Sequence, residues 1–336
     1  MKYSNILAIR LSSLGDILRA VPSLSALKNG CEKLTFLTED RFRIVTEIYP
    51  VADETLVFPR KELSFSNLNN FLTELRKEEY EIVLDLHGIF KSSLLTFLSK
   101  GKRKIGFDKK FSKEFAHLFY NEKVSSSCQF IISRFERYEM ALRHIGHEVE
   151  KNKFFKPTIC DEAENFAKKF LEERNLEENH FAILFPGTSK KQKFKRWPLN
   201  NFVELAKKIE EGLSLKAVFC LGPEEAEFEE TIKDNFILLK SPDLKETSAI
   251  ILKSKIFIGC DTGLMHLSAL SGIKTIAIMG ATNPVINKPW GERNRVVFKE
   301  GVSKECRGES CKHTDCMGKI KVDEVFKEVE NLLNAF

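Results

Sequence analysis

The 336-residue chain has no apolar run approaching the roughly 18 to 20 residues that a membrane-spanning helix needs. It does not open like a secretory signal either. Lys2 is basic, but the apolar run Ile6 to Ile9 is cut by Arg10, and no small-residue cleavage site follows. A cytoplasmic protein is the expectation. There is no G-x-G-x-x-G and no G-x4-G-K-[ST], so neither a dinucleotide fingerprint nor a P-loop is supported. Internal repeats, low-complexity tracts, C2H2 spacings and basic-zipper patterns are all missing.

A tight C-x2-C pair is missing too. Of the eight cysteines, Cys31, Cys128, Cys160, Cys220 and Cys260 are scattered in mostly apolar context and read as buried free thiols. Cys306, Cys311 and Cys316 share a C-x4-C-x4-C spacing around His313, which is not the usual zinc pattern, and no metal site is expected. Net charge is a modest +5 but uneven. Lys100, Lys102, Arg103, Lys104, Lys109, Lys110, Lys113 and Lys123 crowd one stretch against Asp108, Glu114 and Glu122. A solvated face is the default for such a run, although it also suits phosphates or an anionic membrane surface. Aromatic interleaving of the kind that stacks single strands is scarce.

What is present is alternation. NILAIRL, KLTFLT and EIVLDLHG read as strands, with DILRAVPSLSALK and FLTELRKEEY as helices between them. Pro22 should bend the first helix or mark a boundary. GKRKIGFDKK reads as a loop, and KNKFFKPTICDEAENFAKKFLEERNLEEN, with one Pro, a charge-rich helix and no strand, as the domain linker. HFAILFPG, LKAVFCLG, KIFIGC and KTIAIMG are strands of a second half, with helices between them, one closed by Gly212. Strand-helix alternation with buried strands argues parallel sheets covered on both faces. The expected fold class is α/β with two doubly wound domains. Their bounds are 1–155 and 177–320, and an amphipathic helix over 321–336 docks back on the N-terminal domain.

Open α/β sheets place ligands at the carboxyl ends of strands, and four such loops are rich in suitable groups. SSLGD sets Asp16 at a helix start, as a cap or as a carboxylate in a cleft that would repel phosphate. PGTSKKQKFKRWP puts Thr188 and Ser189 before a cluster of cations ending in Lys195 and Arg196, a combination suited to oxyanions. Trp197 reads as a packing residue. LGPEEAE offers Glu224 to ribose hydroxyls or to the dipole of a first turn. In CDTGLMHLSALSG, Thr262 and Gly263 would present backbone N–H groups at a helix N-terminus, with His266 on the same face or packed in the core.

Together these loops resemble the lipopolysaccharide heptosyltransferases of glycosyltransferase family 9, inverting enzymes of the GT-B fold. SSLGDILRAVPSLSALK is similar to the family's S-x-G-D-x-x-x-x-x-P-x-L pattern, and DTGLMHLSALSGIKTIAIMGATNP to its donor-site block. GFDKKFSKEFAHLFYN is similar to heptosyltransferase I and CRGESCKHTDCMGKI to heptosyltransferase II, so the subtype stays open.

The resemblance implies two Rossmann-like domains facing a cleft, ADP-L-glycero-D-manno-heptose as donor, and Kdo-lipid A or a heptosylated core as acceptor. It implies Asp16 as general base, with Ser13 and Gly15 beside it. Thr188, Ser189, Lys195, Thr262, Gly263 and His266 would hold the diphosphate, Glu224 the ribose, and Asp261 the region of the donor sugar. Lys102, Arg103 and Lys104 are candidate acceptor contacts, and peripheral contact with the inner membrane surface follows from the lipid-borne acceptor. No metal is expected, because the chain has no D-x-D with which a metal-dependent sugar transferase chelates its ion. Two positions depart from the family: His87 in DLHGIFKS, where Gln is frequent, and Glu122 after FYN. Both lie in the acceptor domain. A rival with another nucleotide sugar keeps the fold, a non-catalytic nucleotide-sugar binder would lose nothing with Asp16, and a nucleic-acid binder would show steep salt dependence.

Overall fold

The apolar runs of the sequence become the inner strands of two parallel sheets in the computed structural model, which describes residues 3–125, 131–151, 153–240, 243–299 and 315–335. The chain divides into units Met1–Lys151 and Asn152–Phe336. In the first, β1 (Tyr3–Ile9), β2 (Cys31–Glu39), β3 (Glu54–Phe58), β4 (Tyr80–Asp85), β5 (Gly101–Phe107) and β6 (Glu122–Val124) lie in the order β3-β2-β1-β4-β5-β6. In the second, β7 (Phe181–Phe185), β8 (Lys216–Leu221), β9 (Ile237–Lys240), β10 (Ile256–Cys260), β11 (Lys274–Ile278) and β12 (Asn294–Val297) lie in the order β12-β11-β10-β7-β8-β9. All neighbouring strands are parallel, and Ile9 sits between Leu37 and Asp85 in register. Each unit's first strand is therefore central. Ile6 to Ile9 and Phe181 to Leu184 are fully buried, as strands covered on both faces must be.

Several details differ from the sequence reading. GKRKIGF is strand β5: pairing with β4 and β6, and burial of Ile105 and Phe107, override its polar start. Pro22 lies inside one continuous helix, Leu14–Gly30, where the buried ring packs at the cost of one backbone hydrogen bond. The helix Leu199–Leu213 runs past Gly212 and is closed by Ser214 in the left-handed conformation, φ 54°. The charge-rich helix read in the linker is present as Asp161–Glu173, but it is part of the second unit, packing on the helix Leu244–Lys253.

The last helix, Val322–Asn334, expected to dock on the N-terminal domain, is part of the second unit. It packs on Leu199–Leu213, β11 and β12, and Val325, Val329 and Leu332 join the second unit's core. Its apolar stripe shares one core with Trp197, whose Nε1–H donates to the Ile320 carbonyl at 2.9 Å. Among the described residues no helix is long and apolar enough to cross a membrane.

Leu332→Ala should cost about 2–5 kcal/mol in the second unit, since it empties a fully buried site. Both tryptophans, Trp197 and Trp290, belong to that unit, so denaturant unfolding followed by their fluorescence reads it selectively. An unshifted midpoint would contradict the docking of the last helix.

Candidate active site

In both sheets the chain reverses direction of growth between the first and fourth strands of the unit, β1/β4 and β7/β10. Loops leaving such neighbours diverge to opposite faces and open a crevice between them. The candidate residues gather at these two places.

In the first unit, Ser13 is the cap of the helix Leu14–Gly30 and Asp16 its third residue. The Ser13 hydroxyl donates to Asp16 Oδ2 at 3.1 Å. Asp16 is thus part of a capping arrangement, but most of its partners are cations. Arg10 Nη2 lies 2.7 Å from Oδ2, Arg19 Nη2 2.6 Å from Oδ1, and Arg134 Nε 3.4 Å from Oδ1. Gly15, in the first turn, accepts from Arg19 Nε at 3.2 Å and so aims that guanidinium. Burial alone would raise the Asp16 pKa, but Arg10, Arg19 and Arg134 overcome it and hold the carboxyl well below the usual range.

Arg10 also ties the β1 loop to the β4 loop, donating to the carbonyls of Leu86 (3.3 Å) and His87 (3.5 Å). Asp85 at the end of β4 accepts from the amides of His87 and Gly88 and from Tyr120 Oη at 2.7 Å. Gly88 turns there at φ +75°, and a Cβ would meet Arg137 at 2.9 Å. Arg137 donates to the His87 carbonyl at 3.0 Å. Burial, helped by Arg10, pushes the His87 imidazole down to about 2, so this side chain is neutral.

The surroundings of Asp16 therefore carry more positive than negative charge. The expectation that its carboxylate would repel a phosphate gives way, because Arg10, Arg19, Arg134 and Arg137 outnumber it. A buried cluster with surplus guanidinium is suited to an anionic ligand. Arg134, with 36% of its side chain exposed, is the most accessible of the three that touch Asp16.

The structure does not bring Lys102, Arg103 and Lys104 to this cluster. They lie in the first half of β5, paired with the middle of β4, whereas Asp16 follows the far end of β1. Arg103 makes a two-pronged pair with Glu122 at 2.7 and 2.8 Å, which is also where the unexpected acid Glu122 is spent. Lys104 Nζ donates to the Phe97 carbonyl at 2.6 Å.

In the second unit, β7 ends in the loop carrying Thr188 and Ser189, and β10 in Asp261-Thr262-Gly263. Lys195 Nζ bridges these loops to Asp261 Oδ2 at 3.0 Å, and the buried His266 places Nε2 3.7 Å from Asp261 Oδ1. Thr262 caps the helix Gly263–Leu270, accepting from the Met265 amide at 3.4 Å. Ser189 is exposed, and Glu224 Oε2 accepts from the Lys190 amide at 2.7 Å, so Glu224 stands at the rim of the same loop. The Thr188 hydroxyl is engaged within the loop, donating to Gln192 O at 3.1 Å and accepting from Arg196 Nε at 3.1 Å.

Arg196, read with Lys195 as an oxyanion cation, and Glu225, one residue from Glu224 and not singled out by the sequence, have a different task. Arg196 Nη2 donates to the Thr188 carbonyl at 2.9 Å and lies 3.4 Å from the buried Glu225 carboxylate, which accepts from the Gly222 amide at 3.2 Å. Together they tie the β7 loop to the β8 loop. Gly187 permits this, since a Cβ would lie 2.4 Å from Glu225 Cδ. Trp197 is buried, as read. Of the late cysteines, Cys316 is buried, while Cys306, Cys311 and His313 lie outside the described residues, as does Cys128. Among the described residues no three His, Cys, Asp or Glu side chains are grouped to hold a metal ion.

Because the folded Asp16 carboxyl titrates below its unfolded value of 3.8, its ionisation stabilises the protein fully above that value. That contribution is lost as pH falls through the folded value. Arg19→Met should raise the Asp16 pKa and begin the acid loss at higher pH. Carbon NMR of the Asp16 carboxyl checks this, and an unmoved titration would refute the guanidinium hold.

The profile of Glycosyltransferase family 9 (heptosyltransferase) matches residues 69–316. The chain is 26% identical to "Lipopolysaccharide heptosyltransferase 1" of Campylobacter coli, covering 97% of this chain and 98% of that protein. It is 27% identical to "Lipooligosaccharide heptosyltransferase 2" of Campylobacter jejuni, covering 95% of each. The structure of E. coli heptosyltransferase WaaC with ADP superposes with a TM-score of 0.74 at 22% identity, over 98% of this chain and 99% of that one. Two Rossmann-like units with clustered polar groups at both switch points, and a family profile spanning more than half the chain, lead to one conclusion: the protein belongs to glycosyltransferase family 9, the heptosyltransferases, and is a GT-B glycosyltransferase.

Proposed function

We propose that the protein transfers L-glycero-D-manno-heptose from an ADP-heptose donor to the Kdo or heptose inner core of lipopolysaccharide, on the cytoplasmic side of the membrane. The observation that carries this reading is the pair of switch-point clusters. One holds an ionised carboxylate among guanidiniums, and the other holds Lys195, Asp261 and a capped helix N-terminus. The relatives named above supply the sugar and the acceptor class.

In this reading the second unit binds the donor. The amides at Gly263 and the next residues, with the helix dipole, face the diphosphate, and Lys195 adds a positive charge. Asp261 is then shared between Lys195 and the donor sugar. Glu224, at the loop rim, faces the ribose. As the bond from the anomeric carbon to the diphosphate oxygen breaks, negative charge grows on ADP, and Lys195, His266 and the helix N-terminus stabilise it. No metal is required in this scheme.

The first unit binds the acceptor. Its anionic groups are matched by Arg134, Arg10 and Arg137. The attacking hydroxyl gives its proton to Asp16 as its oxygen bonds the anomeric carbon from the face opposite the leaving group. A carboxylate held at low pKa is a weak base on its own. An acceptor anion that draws guanidinium away from Asp16 raises its basicity when the acceptor is present.

The decisive experiment is ADP release from ADP-heptose, with and without Kdo-lipid A, in excess EDTA. Wild type should show acceptor-dependent release, and Asp16→Ala should lower kcat by about 10² to 10⁴. Removing the acid also leaves buried guanidiniums unpaired, which costs about 3–5 kcal/mol. Unfolding and ADP affinity are therefore measured beside turnover. A folded, ADP-binding Asp16→Ala with full turnover would reject Asp16 as base, and release that needs added metal would reject the metal-free scheme. Lys195→Ala should weaken ADP-heptose binding while leaving the acceptor KM unchanged, and an unaltered donor affinity would count against its assigned place.

A further inference from the structure

The surface most at odds with an aqueous surround lies on the first unit, beside the Asp16 cluster. The helix Phe90–Leu98 and the turn Ala116–Leu118 pack on each other. They expose Phe90 (46%), Phe97 (56%), Phe115 (72%) and Leu118 (67%). These side chains form one surface. Phe119 packs edge-on against both Phe90, at 5.6 Å, and Phe97, at 6.0 Å, and the Leu118 amide donates to the Phe115 carbonyl at 3.0 Å.

The backbone works to keep it so. Glu114 and Phe115 both adopt left-handed φ, 54° and 60°, which side-chain-bearing residues avoid. A conformation of that kind places a phenylalanine in solvent at a double cost, which points to use rather than accident.

The flanks are basic. Lys109, Lys110 and Lys113 are exposed in the turn that leads into Phe115, and Lys104 Nζ sits over the Phe97 ring at 5.3 Å. The acids of this stretch are outnumbered: Asp108, which accepts from the Lys110 amide, and Glu114, which accepts from the Phe90 amide, stand against Lys104, Lys109, Lys110 and Lys113. Protruding aromatics rimmed by lysine match the chemistry of an anionic lipid surface, apolar beneath and negative at the headgroups.

The position also fits. The Lys113 amide donates to the Gly88 carbonyl at 2.8 Å, and the adjacent His87 carbonyl accepts from Arg10 and Arg137, the cations around Asp16. A continuous set of contacts thus joins the aromatic face to the proposed base.

We propose that this face, built by Phe90, Phe97, Phe115 and Leu118 with Lys109, Lys110 and Lys113, docks the protein on an anionic lipid bilayer. The docking rests on the proposed function only in that it would bring a lipid-borne acceptor to Asp16. The face itself stands on exposure, backbone and charge.

Flotation with vesicles tests it without any substrate. Wild type should float with phosphatidylcholine vesicles containing about 30% phosphatidylglycerol and stay behind with pure phosphatidylcholine or at high salt. The triple variant Phe97→Ser/Phe115→Ser/Leu118→Ser and the triple variant Lys109→Gln/Lys110→Gln/Lys113→Gln should each lower partitioning about tenfold or more. Both replace exposed residues, and unchanged melting and ADP affinity confirm that they fold. The proposal is overturned if wild type does not float, or if the Phe/Leu variant floats like wild type. It is equally overturned if wild type forms a concentration-dependent dimer that this variant abolishes, since the face would then belong to a second copy. Vesicle binding without heptose transfer would sink the proposed function and leave this proposal standing.

Discussion

The arrangement of this protein follows from one constraint: in each unit the first strand is the middle of the sheet. A central strand has neighbours on both sides, so the loops after it and after the fourth strand must part to opposite faces. That parting makes room for a ligand before any side chain is considered. It also explains why chemistry concentrates after β1 and β4, and after β7 and β10, while the β3, β6, β9 and β12 edges carry none of the assigned groups. The buried apolar strands fix where the backbone ends, and the polar groups at those ends do the rest.

Charge in the two clusters is arranged in opposite ways. Around Asp16 one carboxylate faces several guanidiniums, a surplus that water cannot screen well because Arg10 and Arg19 are buried. In the second unit Lys195 and Asp261 are nearly balanced, and the positive end of a helix supplies the remaining field. The first asks for an anionic ligand to complete it. In the proposed function the second takes the donor diphosphate by yielding one ion pair. A buried ion pair seldom adds much stability of its own, so retaining both fits a role in binding better than a role in holding the fold.

Much of this was legible in the sequence, for physical reasons that can be named. Strands buried on both faces leave unbroken apolar runs, and HFAILFPG, LKAVFCLG and KIFIGC announce both strand and loop. Asp16 and the Asp261–His266 segment are local patterns at strand ends. Arg10 and Arg19 lie close to Asp16 in sequence, yet only the strand-to-helix turn shows that they point at it. Arg134 comes from a distant helix, and no local signal could have found it. The basic run misled, because periodicity does not distinguish a charged edge-side strand from a loop: Arg103 turned out to be committed to Glu122, and Lys102 and Lys104 to lie away from the strand ends. Arg196 and Glu225 sat inside quoted motifs, but their task of tying one loop to another needs two strands side by side to be seen.

The chain passes between its two units once, near residue 152, and the last helix stays with the second unit. This has a consequence for biosynthesis. Every strand of the first sheet has left the ribosome before the second sheet begins, so the first unit can close while the second is still being translated. Within the second sheet the central strand β7 emerges first, then β8 and β9 extend one flank, and β10, β11 and β12 the other. Each newcomer finds its neighbour already waiting. The helix Val322–Asn334 emerges after β12 and seals the core around Trp197, so a nascent chain stalled before it would carry a complete first unit and an open second core.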